Sequence, residues 1–361
     1  GVVPVAAGRM RFLPLHDYRD GAVHSLASGE ARPIDVRRKL VDAAYLTNSI
    51  PLTHERRFSV ADGVDCIPPN DLPRRIGNAE HFVVLGAGKT AIDSCVWLLA
   101  AGVPPASLTW VVPRDPWLWN RATTQPGPEF FDQVFAAFAE RQEALARAES
   151  GADFAARMES AGIWLRVDPD VEPQFFHGAT ISERELEQLR RIGNVVRLGR
   201  VESIDDGGMT LANGRTDCPA GSVYVDCTAS AISPRPTKPV FDGERITLQM
   251  IRFPQLPFSA ALIAFLEATR DDDADKNRFA AALPLPDTID DYLRAMLPDM
   301  MNRYHANRDA DVRKWIGESR LEGYAKIARQ INPADSAKLA ILNRIRESSK
   351  AAAANVQRLT G

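Results

Sequence analysis

The sequence predicts an α/β protein built around a parallel sheet, and three observations carry this. The stretch from His81 to Arg114 reads as strand, glycine turn, helix, strand, the order that a mononucleotide-binding βαβ unit requires. Phe82–Leu85 is a short apolar run rich in β-branched residues, Leu108–Val112 and Val223–Ala229 read as buried strands, and Val195–Leu198 reads as a further strand. The chain has 361 residues, 45% of them hydrophobic, which suits two domains or one large α/β body with an insertion.

From the N-terminal end, Arg9–Tyr18 alternates apolar and polar residues, and Asp20-Gly21 is a hairpin signal. Ala22–Leu26 and Ala31–Val36 read as further strands, which makes a small antiparallel meander. Arg38–Tyr45 reads as a buried strand ending in the small residues Ala43 and Ala44, closed by Pro51. Segment 52–80 is rich in turns and crosses into a second domain. Beyond Arg114, residues 116–180 read as a mostly helical insertion, with helical periodicity from Glu129 to Ser150. Its tryptophans and phenylalanines are expected in the core. Ser182 and Glu185 have capping-box spacing for a helix through Arg191. Val201–Ile204 and Met209–Leu211 flank the turn Asp206-Gly207-Gly208 as a hairpin. Val223–Ala229 is a buried strand that again runs from an aspartate into small residues, Thr228 and Ala229 among them. Ile246–Gln249 reads as a strand and Phe258–Ala268 as a helix with Ser259 as its candidate cap. Asp271-Asp272-Asp273 reads as a solvated loop, and residues 287–361 as helical.

The residues of the glycine turn each have a physical task. Gly86 can take the positive φ of a tight strand-to-helix turn. Gly88 has no Cβ, so a diphosphate can approach the backbone from Ala87 through Thr90 and lie at the helix N-terminus. Ala91 stands where a third glycine is usual and is small enough for close helix–strand packing. Gly88-Lys89-Thr90 also resembles the end of a nucleotidase phosphate loop, but that loop needs a glycine where Val83 stands inside the strand. At the end of the second strand, Arg114 suits the 2′-phosphate of NADPH, while Asp115 competes as a residue for the ribose hydroxyl of NADH. Arg114 is nearer the strand end and favours NADPH.

Lys and Arg total 44 against 47 Asp and Glu, a formal net charge of −3, so no nucleic-acid or anionic-membrane partner is indicated. The apolar stretches are too short to span a bilayer. The four cysteines, Cys66, Cys95, Cys218 and Cys227, have no C-x-x-C spacing and fit a reducing cytosol. The six histidines are scattered without metal-ligand spacing.

Three runs together, Gly86-Ala87-Gly88-Lys89-Thr90-Ala91-Ile92-Asp93, Asp42-Ala43-Ala44-Tyr45 and Asp226-Cys227-Thr228-Ala229, make the chain resemble the two-dinucleotide-binding flavoproteins, especially the flavin-containing-monooxygenase-like oxidoreductases. The resemblance covers most of residues 9–268. It implies a Rossmann-like NAD(P)-binding domain inserted between parts of an FAD-binding domain. Residues 1–50 would be a remnant of the FAD-type domain. Residues 51–229 would be the NAD(P) domain with its insertion at 116–180, and residues 230–361 the return to the FAD-type domain with C-terminal helices. Both linker strands lack the glycine of the family's A-T-G-like ending. The resemblance further implies that Ala43, Ala44, Thr228 and Ala229 lie against a bound ring system. It also implies that the helix at Phe258-Ser259 points its N-terminus at the flavin. The implied reaction is hydride transfer from NADPH to FAD, with a small molecule as substrate and homo-oligomerisation left open.

The family's first glycine fingerprint precedes the meander, and no second G-x-G-x-x-G stands in this chain. The expectation is an N-terminally truncated form of a cytoplasmic oxidoreductase, itself weak or inactive with FAD. The alternative is a non-catalytic dinucleotide-binding or sensor protein in which the flavin site is lost. No catalytic acid, base or nucleophile stands above background.

Overall fold

A computed structural model describes residues 2–5 and 8–11 by their backbone, and residues 13–46, 48–230 and 234–361 in full. The chain is mixed α/β and divides into two units. The first comprises residues 1–46, 236–283 and 298–321; the second comprises residues 47–235, 284–297 and 322–361. The segment after residue 230 is thus shared between the two units.

The second unit is organised by a five-stranded sheet. Its strands in chain order are β1 (Cys66–Ile67), β2 (Phe82–Leu85), β3 (Leu108–Val111), β4 (Asn194–Val196) and β5 (Val223–Asp226), arranged β4-β3-β2-β5-β1 with every neighbouring pair parallel. Helix α1 (Lys89–Ala100) links β2 to its neighbour β3. Alternation along the strands sorts their side chains to two faces. Phe82, Val84, Trp110, Val223 and Val225 pack with Ala91, Ile92, Cys95 and Leu98 of α1. Val83, Leu85, Val111 and Tyr224 pack with Ile204, Met209 and Leu211 of the hairpin Val201–Asp205/Gly208–Leu211. Both faces are therefore covered, which explains the unbroken apolar runs.

The 116–180 insertion is more mixed than its sequence suggests. Helices Phe131–Arg147 and Gly151–Ser160 accompany a small sheet of Leu118–Asn120, Trp164–Leu165 and Thr180–Ile181. Most of its aromatic residues are core, as expected: Trp164 lies 4.6 Å from Phe176, 5.3 Å from Phe154 and 5.5 Å from Tyr292, ring centre to ring centre. The Ser182–Glu185 capping box is present, opening helix Glu183–Leu189. The last helix, Ser336–Thr360, lies along Phe131–Arg147. Arg344 donates to both oxygens of Glu143 at 2.8 and 3.1 Å, and the Asn355 amide donates to the Leu145 and Ala148 carbonyls, each at 2.8 Å.

In the first unit the meander forms as His16–Arg19, Ala22–Ser25 and Ala31–Pro33, with Asp20 and Gly21 both at positive φ in its first turn. The alternating run Arg9–Tyr18 is not one strand. Gly8–Arg11 pairs with Val2–Val5 instead, and Phe12 within the run lies outside the described residues. The strand expected at Arg38–Tyr45 shortens to Leu40–Asp42 and is only partly buried, because it edges a three-stranded sheet with Arg245–Thr247 and Phe241–Asp242.

The aspartate run is a solvated loop only in part: Asp271 and Asp272 are exposed and outside any helix, whereas Asp273 is half-buried and helical. Asp272 caps a short helix, Asp273–Asn277, by accepting from the Asp275 amide at 2.9 Å. Asp273 accepts from Lys39 at 2.6 Å and from the buried Lys276 at 3.1 Å. A buried ammonium needs such partners, Glu267 at 2.6 Å among them.

Candidate functional site: the glycine turn at the carboxyl edge of the sheet

All five parallel strands end at one edge, where ligands of open α/β sheets bind. There β2 runs into Gly86-Ala87-Gly88 and α1. Gly86 has φ +115°, and a Cβ on it would lie 2.9 Å from the carbonyl oxygen of Cys227. Both facts require glycine. The turn is held from three sides. The Gly86 amide donates to Val111 O at 3.0 Å, the Cys227 amide donates to Leu85 O at 3.1 Å, and the buried Trp110 indole donates to Gly86 O at 2.8 Å. Ala91 is fully buried against the sheet, as its place in the motif predicts.

Gly88 differs from Gly86. Its φ is −79°, it occupies the cap position of α1, and nothing lies within 4 Å of where its Cβ would be. Having no side chain, it leaves the helix uncapped, and the first bond of α1 is Ile92 N to Gly88 O at 3.1 Å. Among the described residues, the amides of Ala87, Gly88, Lys89, Thr90 and Ala91 make no hydrogen bond. Such amides are the usual unsatisfied donors of a helix start, and together with the helix dipole they favour an anion. The Lys89 ammonium pairs with Asp93 one turn on, and Thr90 is exposed at the rim. The residues present therefore fit a diphosphate: open space at Gly88, a fixed turn behind it and unpartnered donors in front.

The end of β3 is fully engaged. Arg114 donates to both oxygens of Asp287, each at 2.8 Å, and lies 5.1 Å from the centre of the Phe175 ring. Asp115 does not pair with Arg114. It accepts from Arg197 at 2.9 and 3.0 Å, so the acidic residue that the sequence offers to a ribose is committed elsewhere.

The end of β5 carries a feature that the sequence did not signal. Asp226 is buried, and its Oδ2 accepts from His54 Nε2 at 2.8 Å, with Arg56 Nε at 3.3 Å. Its Oδ1 accepts from the Thr228 amide at 3.0 Å and the Thr228 hydroxyl at 2.7 Å. Thr228 is thereby fixed beside the turn, and Ala229 follows it half-buried. Burial pushes Cys227 up to about 12 and Cys95 well above the ordinary thiol range.

Ala43, Ala44 and Ser259 belong to the other unit. Ala43 and Ala44 are exposed, and the Ala44 amide donates to Asp42 Oδ1 at 3.2 Å. The two aspartate-ended strands thus share a local device, the carboxylate bonding the amide two residues on. Ser259 is a correction. The helix spans Leu256–Thr269 with Gln255 at its cap, and Ser259 sits inside the first turn, fully buried. Its hydroxyl accepts from the Ile251 and Arg252 amides, each at 3.2 Å, and donates to Gln255 O at 2.8 Å. That side chain is spent on the backbone.

Three mycobacterial proteins are similar to this chain: uncharacterized protein Rv2000 and uncharacterized protein MT2056 of Mycobacterium tuberculosis, and uncharacterized protein Mb2023 of Mycobacterium bovis. Each is 43% identical over 315 residues, which cover 87% of this chain and 58% of the relative. The chain thus spans 58% of the length of these curated relatives. No family model matches the chain, and no solved structure matches it. Among the described residues, no helix is long and apolar enough to cross a membrane.

Proposed function

We propose that the chain binds a nicotinamide dinucleotide, NADPH or NADH, and that the protein is an oxidoreductase of the two-dinucleotide flavoprotein kind. In this reading the five-stranded sheet is a Rossmann-like domain, and the diphosphate lies on the amides from Ala87 to Ala91. The carrying observation is the contrast between the two glycines. Gly86 is required by the packing of the turn, whereas no described residue lies within 4 Å of a Cβ at Gly88. A glycine with open space at its Cβ position, at an uncapped helix start on the carboxyl edge of a parallel sheet, is what a close-approaching diphosphate calls for.

The chain's own residues then have defined tasks. Trp110 and Cys227 hold the turn rigid, and the α1 amides bind the anion. Asp226 orients Thr228 beside it. The cofactor, when bound, supplies the hydride. The flavin half of the reading rests on the resemblance.

Isothermal titration of the chain with NADPH, NADH and FAD tests this. The expected result is saturable binding of at least one nicotinamide dinucleotide. Failure of both NADPH and NADH to bind would sink the reading.

A further inference from the structure

The guanidinium that the sequence offers to a 2′-phosphate already holds an anion. Arg114 grips Asp287 with two parallel bonds of 2.8 Å, the fork geometry with which arginine takes carboxylate or phosphate. His177 brings Nε2 to within 2.8 Å of the same carboxylate. The Phe175 ring lies 4.7 Å from the His177 ring and 5.1 Å from the guanidinium.

Asp287 is placed firmly. Its carbonyl accepts from the Phe176 amide at 2.9 Å. The next residue, Thr288, makes reciprocal capping bonds with Asp291 that open helix Ile289–Arg308. The cluster is nonetheless reachable, since the side chains of Arg114, Asp287 and His177 are 36%, 47% and 51% exposed.

We infer that Asp287 determines which dinucleotide the site accepts, favouring NADH over NADPH. This rests on the reading of the Gly86 turn as a dinucleotide site. The carboxylate occupies the phosphate position on Arg114. A 2′-phosphate must either displace it, which leaves Asp287 without its strongest partner, or share the guanidinium with it, which sets like charges side by side. A ribose 2′-hydroxyl has neither difficulty and can donate to the carboxylate. Asp287 thus supplies, from a distant segment, the acidic group that NAD sites place at the strand end. Asp115, which stands at that strand end, is bound to Arg197.

Calorimetric titration of the wild type and Asp287→Asn with NADH and NADPH tests the inference, with circular dichroism as a check on folding. The wild type should bind NADH more tightly than NADPH. Asp287→Asn should shift the ratio toward NADPH on the order of tenfold, and Arg114→Gln in that background should remove the shift. A wild type that prefers NADPH overturns the inference without recourse to any variant. So does a ratio unchanged in a folded Asp287→Asn that still binds dinucleotide. Loss of all dinucleotide binding in the wild type instead overturns the site reading, and the inference falls with it.

Discussion

Gly86 lies so close to Cys227 that a methyl group on it would meet the Cys227 carbonyl oxygen at 2.9 Å, with φ at +115°. The contact joins the ends of the neighbouring strands β2 and β5 and fixes where the backbone turns toward α1. Gly86→Ala should therefore combine a clash with a disfavoured backbone conformation and cost about 1–3 kcal/mol of stability. Urea denaturation checks this. An unchanged midpoint would mean that the turn is not locked against the neighbouring strand.

Gly88 invites the opposite experiment. Its dihedrals, φ −79° and ψ 177°, are those of a helix cap, and there is room for a side chain. Gly88→Asp should place a carboxylate on the free amides of α1 and stabilise the protein by roughly 0.3–1 kcal/mol. The same carboxylate should exclude a diphosphate. The expected outcome is a raised melting temperature together with lost NADH and NADPH binding. A variant that gains stability and still binds would move the dinucleotide off this turn.

The features legible in the sequence are those whose cause is local. The glycine turn, the Ser182–Glu185 capping box and the hairpin through Asp206-Gly207-Gly208 are each decided within a few residues, and the sequence reading locates all three. The partners of the candidate site are not local. Arg114 meets Asp287 across 173 positions and His54 meets Asp226 across 172, so no spacing rule could announce them. Ser259 misled for a related reason. A serine near a helix start suggests a cap, but the helix begins three residues earlier, and the hydroxyl serves amides of the preceding loop. The placement of Asp273 likewise depends on Lys39 and Lys276, which only the fold brings to it.

Asp226 is the hub at the end of β5. Its carboxylate serves the Thr228 amide and hydroxyl and His54, with Arg56 beside it. Asp226→Ala would leave the buried His54 side chain without this partner and release Thr228, an expected loss of about 1–3 kcal/mol. His54→Ala should cost less, because the carboxylate keeps Thr228. Chemical denaturation of both variants provides the comparison. A larger loss from His54→Ala would show that the histidine, rather than the aspartate, organises this edge.

The Arg114–Asp287 pair also predicts an acid dependence. Hydrogen bonding to Arg114, reinforced by His177, holds the Asp287 carboxyl well below the usual carboxylate range. A carboxyl whose pKa falls on folding stabilises the protein above its unfolded pKa, about 3.9. That contribution is lost as pH drops through the folded value. The side chain is 47% exposed, so solvent screening keeps the effect small, within the range of about 0–1 kcal/mol of surface pairs. The wild-type advantage over Asp287→Asn should be constant above about pH 5 and shrink progressively below about pH 4. Urea melts of both proteins between these limits and pH 2 measure the difference directly. An advantage that persists or grows on acidification would mean that Arg114 does not hold this carboxylate in solution, leaving the guanidinium open to a phosphate.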